Sequence, residues 1–390
     1  MQINRLCLRN FRNYADAEIR FVSGVNLLVG GNANGKTNLL EAVSYLSTGR
    51  AFRTRKEQEL IRFDAEFAEL SAEITSQERE QTLRALLFAD RRPRRLFLNG
   101  VKQKTAAGIV GVLPSVLFCP EDLLVLKKGA QPRRKLLDNV ICQIRPNYEA
   151  ALTEYLRLLE QKSTVLRDWR DCPSLREVLP EYNTRMAQVG ALVISYRARY
   201  LKALSECAAA FHREFSGGAE ALTLEYKTVS NIDDPFAPPE RLRELLAEHQ
   251  AAHERAELES GQCLSGPHKD DFEARVNNLP VAQFASQGQT RTATISIKLA
   301  ERELLKRDSG EEPILLLDDV LSELDAGRQD FVLNQLKSGQ VFITCCETDR
   351  LTSLGQVFRI ENGSVKSENS NVHFHRSGFF RPRPRRDRRV

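Results

Sequence analysis

Residues 25–40, V-N-L-L-V-G-G-N-A-N-G-K-T-N-L-L, form an apolar run that breaks at Gly30, turns through small and Asn residues, and resumes as a second apolar run. The order is strand, glycine-rich turn, helix, and within it Gly30, Gly35, Lys36 and Thr37 fill the spacing G-x-x-x-x-G-K-[ST]. Backbone N–H groups of such a turn and the N-terminus of its helix converge on an anion. Lys36 adds a mobile cation for the outer phosphates, and the Thr37 hydroxyl is placed to ligate Mg²⁺. The stretch therefore predicts a bound nucleoside triphosphate, ATP, with Gly30, Asn32, Asn34, Gly35, Lys36, Thr37 and Asn38 around it.

A turn of this kind works with an acid at the end of a neighbouring buried strand. That acid lies near the far end of the chain, where Pro313-Ile314-Leu315-Leu316-Leu317-Asp318-Asp319 is an apolar run closed by two carboxylates. Asp318 is expected to join Thr37 on the metal side, and Asp319 to orient the attacking water, with Lys36 as the third catalytic group. Asp319 is one methylene shorter than Glu, which predicts weak hydrolysis. The two strands must meet in one sheet, so the fold expected is α/β, closed across a large insertion. Small GTPases and simple kinases, in which the acid follows the loop much sooner, do not fit that separation.

The insertion has its own character. Leu and Ala recur at helical spacing in 147–169 and 182–215 with Pro173 and Pro180 between them, which predicts two long antiparallel helices in a short arm. A strand near 221–229 and a helix at 239–259 follow, whereas 67–74, 82–88 and 95–98 alternate as strands of an antiparallel sheet. The expected division is an ATPase lobe from 1–130 and 263–366, a mainly helical second lobe from 131–262, and an Arg-rich, disordered tail from 367–390.

F-A-S-Q-G-Q-T-R-T (284–292) opens a helix running to about Leu305, and Ser286, Gly288 and Gln289 make its start a second dipole-focused anion site. A nucleotide already seated on Gly30–Thr37 does not need it. That redundancy points to a composite site; in ABC-type ATPases, which this pattern resembles, such a segment of one copy caps the nucleotide held by another. In the basic loop G-R-A-F-R-T-R (49–55), Arg50 or Arg53 is a candidate for the nucleotide phosphates or a DNA backbone. The positive residues of 91–104 form a candidate DNA-phosphate patch, weighed against an ordinary solvated turn. ABC-type enzymes place a His after the last such strand to sense the γ-phosphate; none follows Val341–Thr344 here, and Thr344 is the expected substitute.

Net charge is +5, but residues 376–390 alone hold seven Arg against one Asp, so the remainder is close to neutral. Contact of the folded part with nucleic acid must then use a local patch. No uncharged apolar run reaches the roughly 18 residues a membrane span needs, and the N-terminal stretch lacks a signal peptide's apolar core. A cytoplasmic protein without a membrane partner is expected. The eight cysteines include no C-x-x-C pair, which suggests reduced thiols and no zinc site.

Taken together, L-R-N-F-R-N-Y (8–14), G-G-N-A-N-G-K-T-N (30–38), G-R-A-F-R (49–53), C-P-E-D-L (119–123), S-G-P-H-K-D-D (265–271), S-Q-G-Q (286–289) and L-L-L-D-D-V-L-S-E-L-D (315–325) resemble the RecF family of bacterial recombination-repair ATPases, related to the SMC family. The resemblance implies an ABC/SMC-head-like P-loop ATPase lobe with an inserted helical lobe, and an ATP-dependent homodimer that binds double-stranded or gapped DNA. It also implies weak DNA-dependent ATP hydrolysis and work with RecO and RecR partners to load recombinase. By that likeness Gly35, Lys36 and Thr37 bind ATP and Mg²⁺, Asp318 and Asp319 serve metal and water, and Ser286, Gly288 and Gln289 reach across the dimer. The Arg-rich tail is an addition with no family role. Other ABC-type readings fit less well. A transporter ATPase carries its signature and acid much nearer the loop, and an anti-phage or nuclease-associated ATPase predicts long heptad arms or an acidic metal cluster.

Overall fold

The computed structural model describes residues 1–368 except Arg55, Glu78, Arg91, 229–231, Lys337 and 347–351. The tail expected from 367 onward lies outside the described residues beyond Glu368.

The strand Val25–Val29 stands inside a six-stranded sheet, beside Val341–Cys345, which in turn pairs with Ile314–Asp318. These pairings are parallel, with Val29 opposite Cys345 and Asp318 opposite Thr344. Ser115–Phe118 extends the sheet on one side, and Gln356–Glu361 with Ser364–Glu368 on the other. Every residue of Ile314–Asp318 and Val341–Cys345 is buried. Continuous apolar runs are what a parallel sheet covered on both faces requires, and each such Leu or Ile stabilises the fold by about 1.5–3 kcal/mol. The register places the end of the loop strand and the acid of Ile314–Asp318 one strand apart at the same end of the sheet, where ligands of open parallel sheets sit.

The helix after the loop, Lys36–Thr48, is buried on nearly every side because it touches both this sheet and a second, antiparallel one. The second sheet runs through Tyr14–Arg20, Gln2–Phe11, Phe67–Ser76, Arg79–Phe88, Arg95–Leu98 and Val101–Gln103. Phe21, just past its edge strand, packs edge-on against Phe342 and Phe358 of the first sheet, at 4.7 and 5.3 Å between ring centres.

The inserted segment is helical as its periodicity predicts, with Pro146–Asp168, Leu179–Phe215 and Pro239–Ser260. A further helix, Ala130–Ile144, has Pro132 in its first turn, where a missing N–H leaves no bond unmade. Leu222–Lys227 and Asp271–Val276 pair antiparallel beside the long helix. One hydrophobic core runs without a break from Leu28 through Tyr148 and Ile194 to Phe272. The far end of the helix pair has a small cluster of its own around Val165, Leu179 and Leu258. There Trp169, the only tryptophan, donates from its indole nitrogen to the Leu258 carbonyl.

Arg197 fastens the helices to the returning chain. Its guanidinium is bidentate on Asp138, at 2.8 and 2.9 Å, and donates to the Pro267 carbonyl at 2.7 Å. The side chain is only 4% exposed, so losing either charge would leave the other buried and unpaired.

Candidate functional site

The loop closes tightly because its glycines permit nothing larger. A Cβ on Gly30 would lie 2.3 Å from the Ile360 carbonyl oxygen, and Gly35, at φ 113°, would press one to 2.6 Å from the Asn13 side chain. Asn13 is a brace. Its amide donates to the Asn34 carbonyl, its oxygen accepts from Asn38 Nδ2, and the neighbouring Tyr14 hydroxyl donates to the Gly35 carbonyl, each at 2.9 Å. Asn38 thus turns toward Asn13, while Asn32 is exposed at the loop's mouth and accepts from the Cys346 thiol at 3.1 Å. Lys36, 7% exposed, donates to the carbonyls of Gly30 and Gly31 at 2.6 and 3.1 Å.

Thr37 and Asp318 meet, although 281 positions separate them. The Thr37 hydroxyl donates to Asp318 Oδ1 at 2.9 Å. The same oxygen accepts from the Thr344 hydroxyl at 3.0 Å, and Thr344 Oγ1 accepts in turn from the Asp319 N–H at 2.7 Å. Thr344 therefore organises the two acids, and Asp319 begins the following turn in a left-handed conformation, φ 53°. Burial pushes the Asp318 carboxyl above the usual carboxylate range, against the pull of the Thr37 and Thr344 hydroxyls. Hard oxygen donors converging on a buried carboxylate suit Mg²⁺, and a cation there would oppose that upward shift by favouring the charged form.

A cleft of about 1040 Å³ lies against this pair, lined by Thr37, Arg50, Arg53, Glu121, Asp318 and Asp319 among others. Arg50 turns to Glu149 on the neighbouring helix at 3.6 Å. Arg53 is exposed, and its charge acts on Asp318. Of the basic run at 91–104, Arg94 is internal: it donates to Tyr45, to the Gly49 carbonyl and to Glu57. Arg92 pairs with Asp90 at 2.7 Å, Arg95, Lys102 and Lys104 are exposed, and Arg91 lies outside the described residues.

Ser286, Gly288 and Gln289 are not among the residues lining that cleft. They begin the helix Gln287–Ser309 in a capping box, with Ser286 Oγ accepting from the Gln289 N–H and Gln289 Oε1 from the Ser286 N–H. The Gln289 amide also donates to Glu220 at 2.8 Å, and buried His212 lies 3.1 Å from that carboxylate. Both ends of Gln289 are thus engaged within the chain, whereas Ser286 is exposed. Arg328 donates to the Gly288 carbonyl at 3.0 Å and pairs with Asp325, and Arg291 donates to the Glu323 carbonyl at 2.6 Å. The helix start is so bolted to the turn that follows Asp319. None of Asn13, Tyr14, Glu220 and Arg328 stands out in the sequence. Only Asn13 and Tyr14 carry a signal, through the segment 8–14.

His268, at the cleft's far wall, accepts at Nδ1 from the Tyr155 hydroxyl (2.7 Å) and donates from Nε2 to the Cys263 carbonyl (3.1 Å). A neutral ring protonated at Nε2 satisfies both partners. Burial lowers its pKa from 6.5 to about 4. Between those values the unfolded chain takes up the proton and the folded chain does not, so stability is full above pH 6.5 and falls as pH drops toward 4. The expected loss across that window is up to about 3 kcal/mol. Urea midpoints from pH 7.5 down to 4.5 should slope less for His268→Gln than for the unaltered chain, and equal slopes would remove His268 as the cause.

The model described as RecF/RecN/SMC N terminal domain matches residues 2–368. The DNA replication and repair protein RecF of Acetivibrio thermocellus is 34% identical over 349 residues, covering 90% of this chain and 94% of that protein. This chain belongs to the RecF family. RecF of Clostridium novyi is 35% identical over 369 residues, 94% of this chain and 99% of that protein. Among solved structures, the recombination mediator protein RecF-ATP in the RecFOR pathway superposes with TM-score 0.86 at 32% identity, covering 94% of this chain and 97% of that one. The Smc head domain of Pyrococcus furiosus, at TM-score 0.53 and 18% identity, shares the fold alone. The expected ABC/SMC-head-like α/β fold is borne out by both likenesses. Among the described residues no helix is long and apolar enough to cross a membrane.

Proposed function

We propose that this RecF-family chain is an ATP-driven switch of recombinational DNA repair, acting in the cytoplasm. The observation that carries the reading is the bond between Thr37 and Asp318, which joins the phosphate loop to an acid from the other end of the chain. ATP is supported by the solved RecF-ATP relative, and the DNA-repair role by the relatives being DNA replication and repair proteins. Lys36, with Gly30, Asn34 and Gly35 beside it, binds the phosphates. Thr37 and Asp318 hold Mg²⁺, which when bound neutralises charge developing on the phosphates. Asp319 orients the attacking water and takes its proton. Ser286 and Gly288 offer the exposed start of their helix to the nucleotide of a second copy, while Gln289, fixed by Glu220, holds that start in shape.

In this reading 1–130 with 263–366 forms the ATPase lobe, joined by Ser367 and Glu368 of its last strand, 131–262 the helical lobe, and the residues beyond Glu368 a basic tail. The paired chains close over double-stranded or gapped DNA and hydrolysis, weak and DNA-dependent, reopens them. RecO- and RecR-type mediators are the partners, since the solved relative is placed in the RecFOR pathway.

Asp319→Asn tests the chemistry. It should retain ATP and slow single-turnover hydrolysis on gapped DNA by about 10²-fold, the size expected for loss of a positioned base. Hydrolysis at the unaltered rate would take Asp319 out of the mechanism.

A further inference from the structure

Away from the nucleotide cleft, a second cavity of about 540 Å³ opens between the helices Ala130–Ile144, Leu179–Phe215 and Gln287–Ser309. Its floor is apolar, with Ile141, Ile144 and Leu304 from the flanking helices. The long helix lines it with Leu192, Tyr196, Arg199 and Ala203, one stripe at helical spacing. Leu192 is 37% exposed there, on a stripe of the kind a helix normally buries.

The walls are cationic. Arg145 and Arg307 each have one carboxylate, Asp308 and Glu303. Arg199 is exposed and has no hydrogen-bond or ion-pair partner among the described residues. Lys202, beside it on the same helix, lies over the exposed Phe236 ring at 5.8 Å. Positive charge is therefore in surplus around an apolar floor. Tyr200, which also lines the cavity, is 8% exposed, and its hydroxyl has no hydrogen-bond partner among the described residues. Leaving such a group unpaired costs about 1–3 kcal/mol.

We propose that this groove docks an acidic peptide segment of a partner protein, anchored by one bulky apolar side chain. Ile141, Ile144, Leu192 and Leu304 take the anchor, and a carboxylate beside it meets Arg199, unpaired among the described residues, with the ion-paired Arg145 and Arg307 at the rim. A concave apolar floor suits a buried side chain. A nucleic-acid backbone would instead lay its phosphates over Leu192 and Leu304 and leave the concavity unfilled. Leu304 and Arg307 belong to the helix that begins at Ser286, so an occupant touches the element that carries the second anion site.

The test uses the full chain and a fluorescein-labelled peptide of Asp and Glu around a single Phe, followed by fluorescence anisotropy. Saturable binding is expected, lost when the peptide's Phe is replaced by Ser. Arg199→Glu, which reverses the charge, and Ala203→Trp, which fills the groove with no change of charge, should each weaken it roughly tenfold or more, a difference of about 1.4 kcal/mol. Both variants should bind ATP as the unaltered chain does, which shows that they fold. No saturable binding to the unaltered chain, or equal binding by both variants, overturns the proposal. It is equally overturned if Arg199→Glu loses affinity for a short DNA duplex and keeps it for the peptide, because the surface then belongs to nucleic acid.

Discussion

Ser286→Arg is expected to leave ATP binding intact and to abolish ATP-dependent pairing of two chains. Ser286 is exposed, caps its helix through the Gln289 N–H, and stands outside the cleft of its own chain. Loss of the cap costs about 1 kcal/mol of local stability, too little to unfold a helix largely buried from Thr290 to Leu305. The larger effect is steric. In the proposed composite site an Arg side chain would occupy the space meant for the partner's γ-phosphate, and the cation it adds to the positive end of its own helix, near the Arg328 guanidinium, disfavours that helix start further. Light scattering of the ATP-loaded variant should give the mass of a single chain, with the ATP dissociation constant within about twofold of the unaltered value. Normal pairing would mean that the helix start has no role across the dimer.

Lys36→Ala should act one step earlier. The ammonium is held at the mouth of the loop by the carbonyls of Gly30 and Gly31, poised beside Asn32 and Cys346. Its move from those carbonyls to the phosphates replaces neutral acceptors by charged ones, and hydrogen bonds to charged groups contribute about 1.5–3 kcal/mol each. Loss of the side chain should weaken ATP binding by roughly 10²-fold or more by calorimetry. The core around the loop helix depends on Leu39, Leu40 and Val43 and should be little affected. If Lys36→Ala bound ATP normally, the loop would not be the nucleotide site.

The parts of this site that could be read from the chain are those whose spacing is set by the ligand. A phosphate imposes the distance from Gly30 to Lys36, and a buried parallel strand imposes the unbroken apolar run before Asp318. Helical periodicity likewise exposed the inserted pair, because each helix buries a stripe. What stayed hidden depends on which segments meet in space. Asn13 and Tyr14 brace the loop because one strand turn lies over it, and nothing in their own neighbourhood reports that contact. Glu220 and Arg328 reach the start of the Gln287–Ser309 helix from a turn and a helix distant in the chain. A charge run says little about each member's surroundings: Arg94 sits in a basic cluster, yet it is half-buried and bonded to Tyr45, Gly49 and Glu57. Thr344 follows the same pattern. Proposed as a sensor for the γ-phosphate, it bonds Asp318 and the backbone of Asp319, so its geometry supports the acids rather than an open seat.

The central claim is that ATP pairs two chains through two composite sites. Its most direct test is the solution mass of the full chain without nucleotide, with ADP, and with ATP and Mg²⁺, each with and without gapped duplex DNA. The account predicts the mass of one chain in the first two conditions and twice that mass with ATP and Mg²⁺. A single-chain mass in every condition, DNA included, would contradict it.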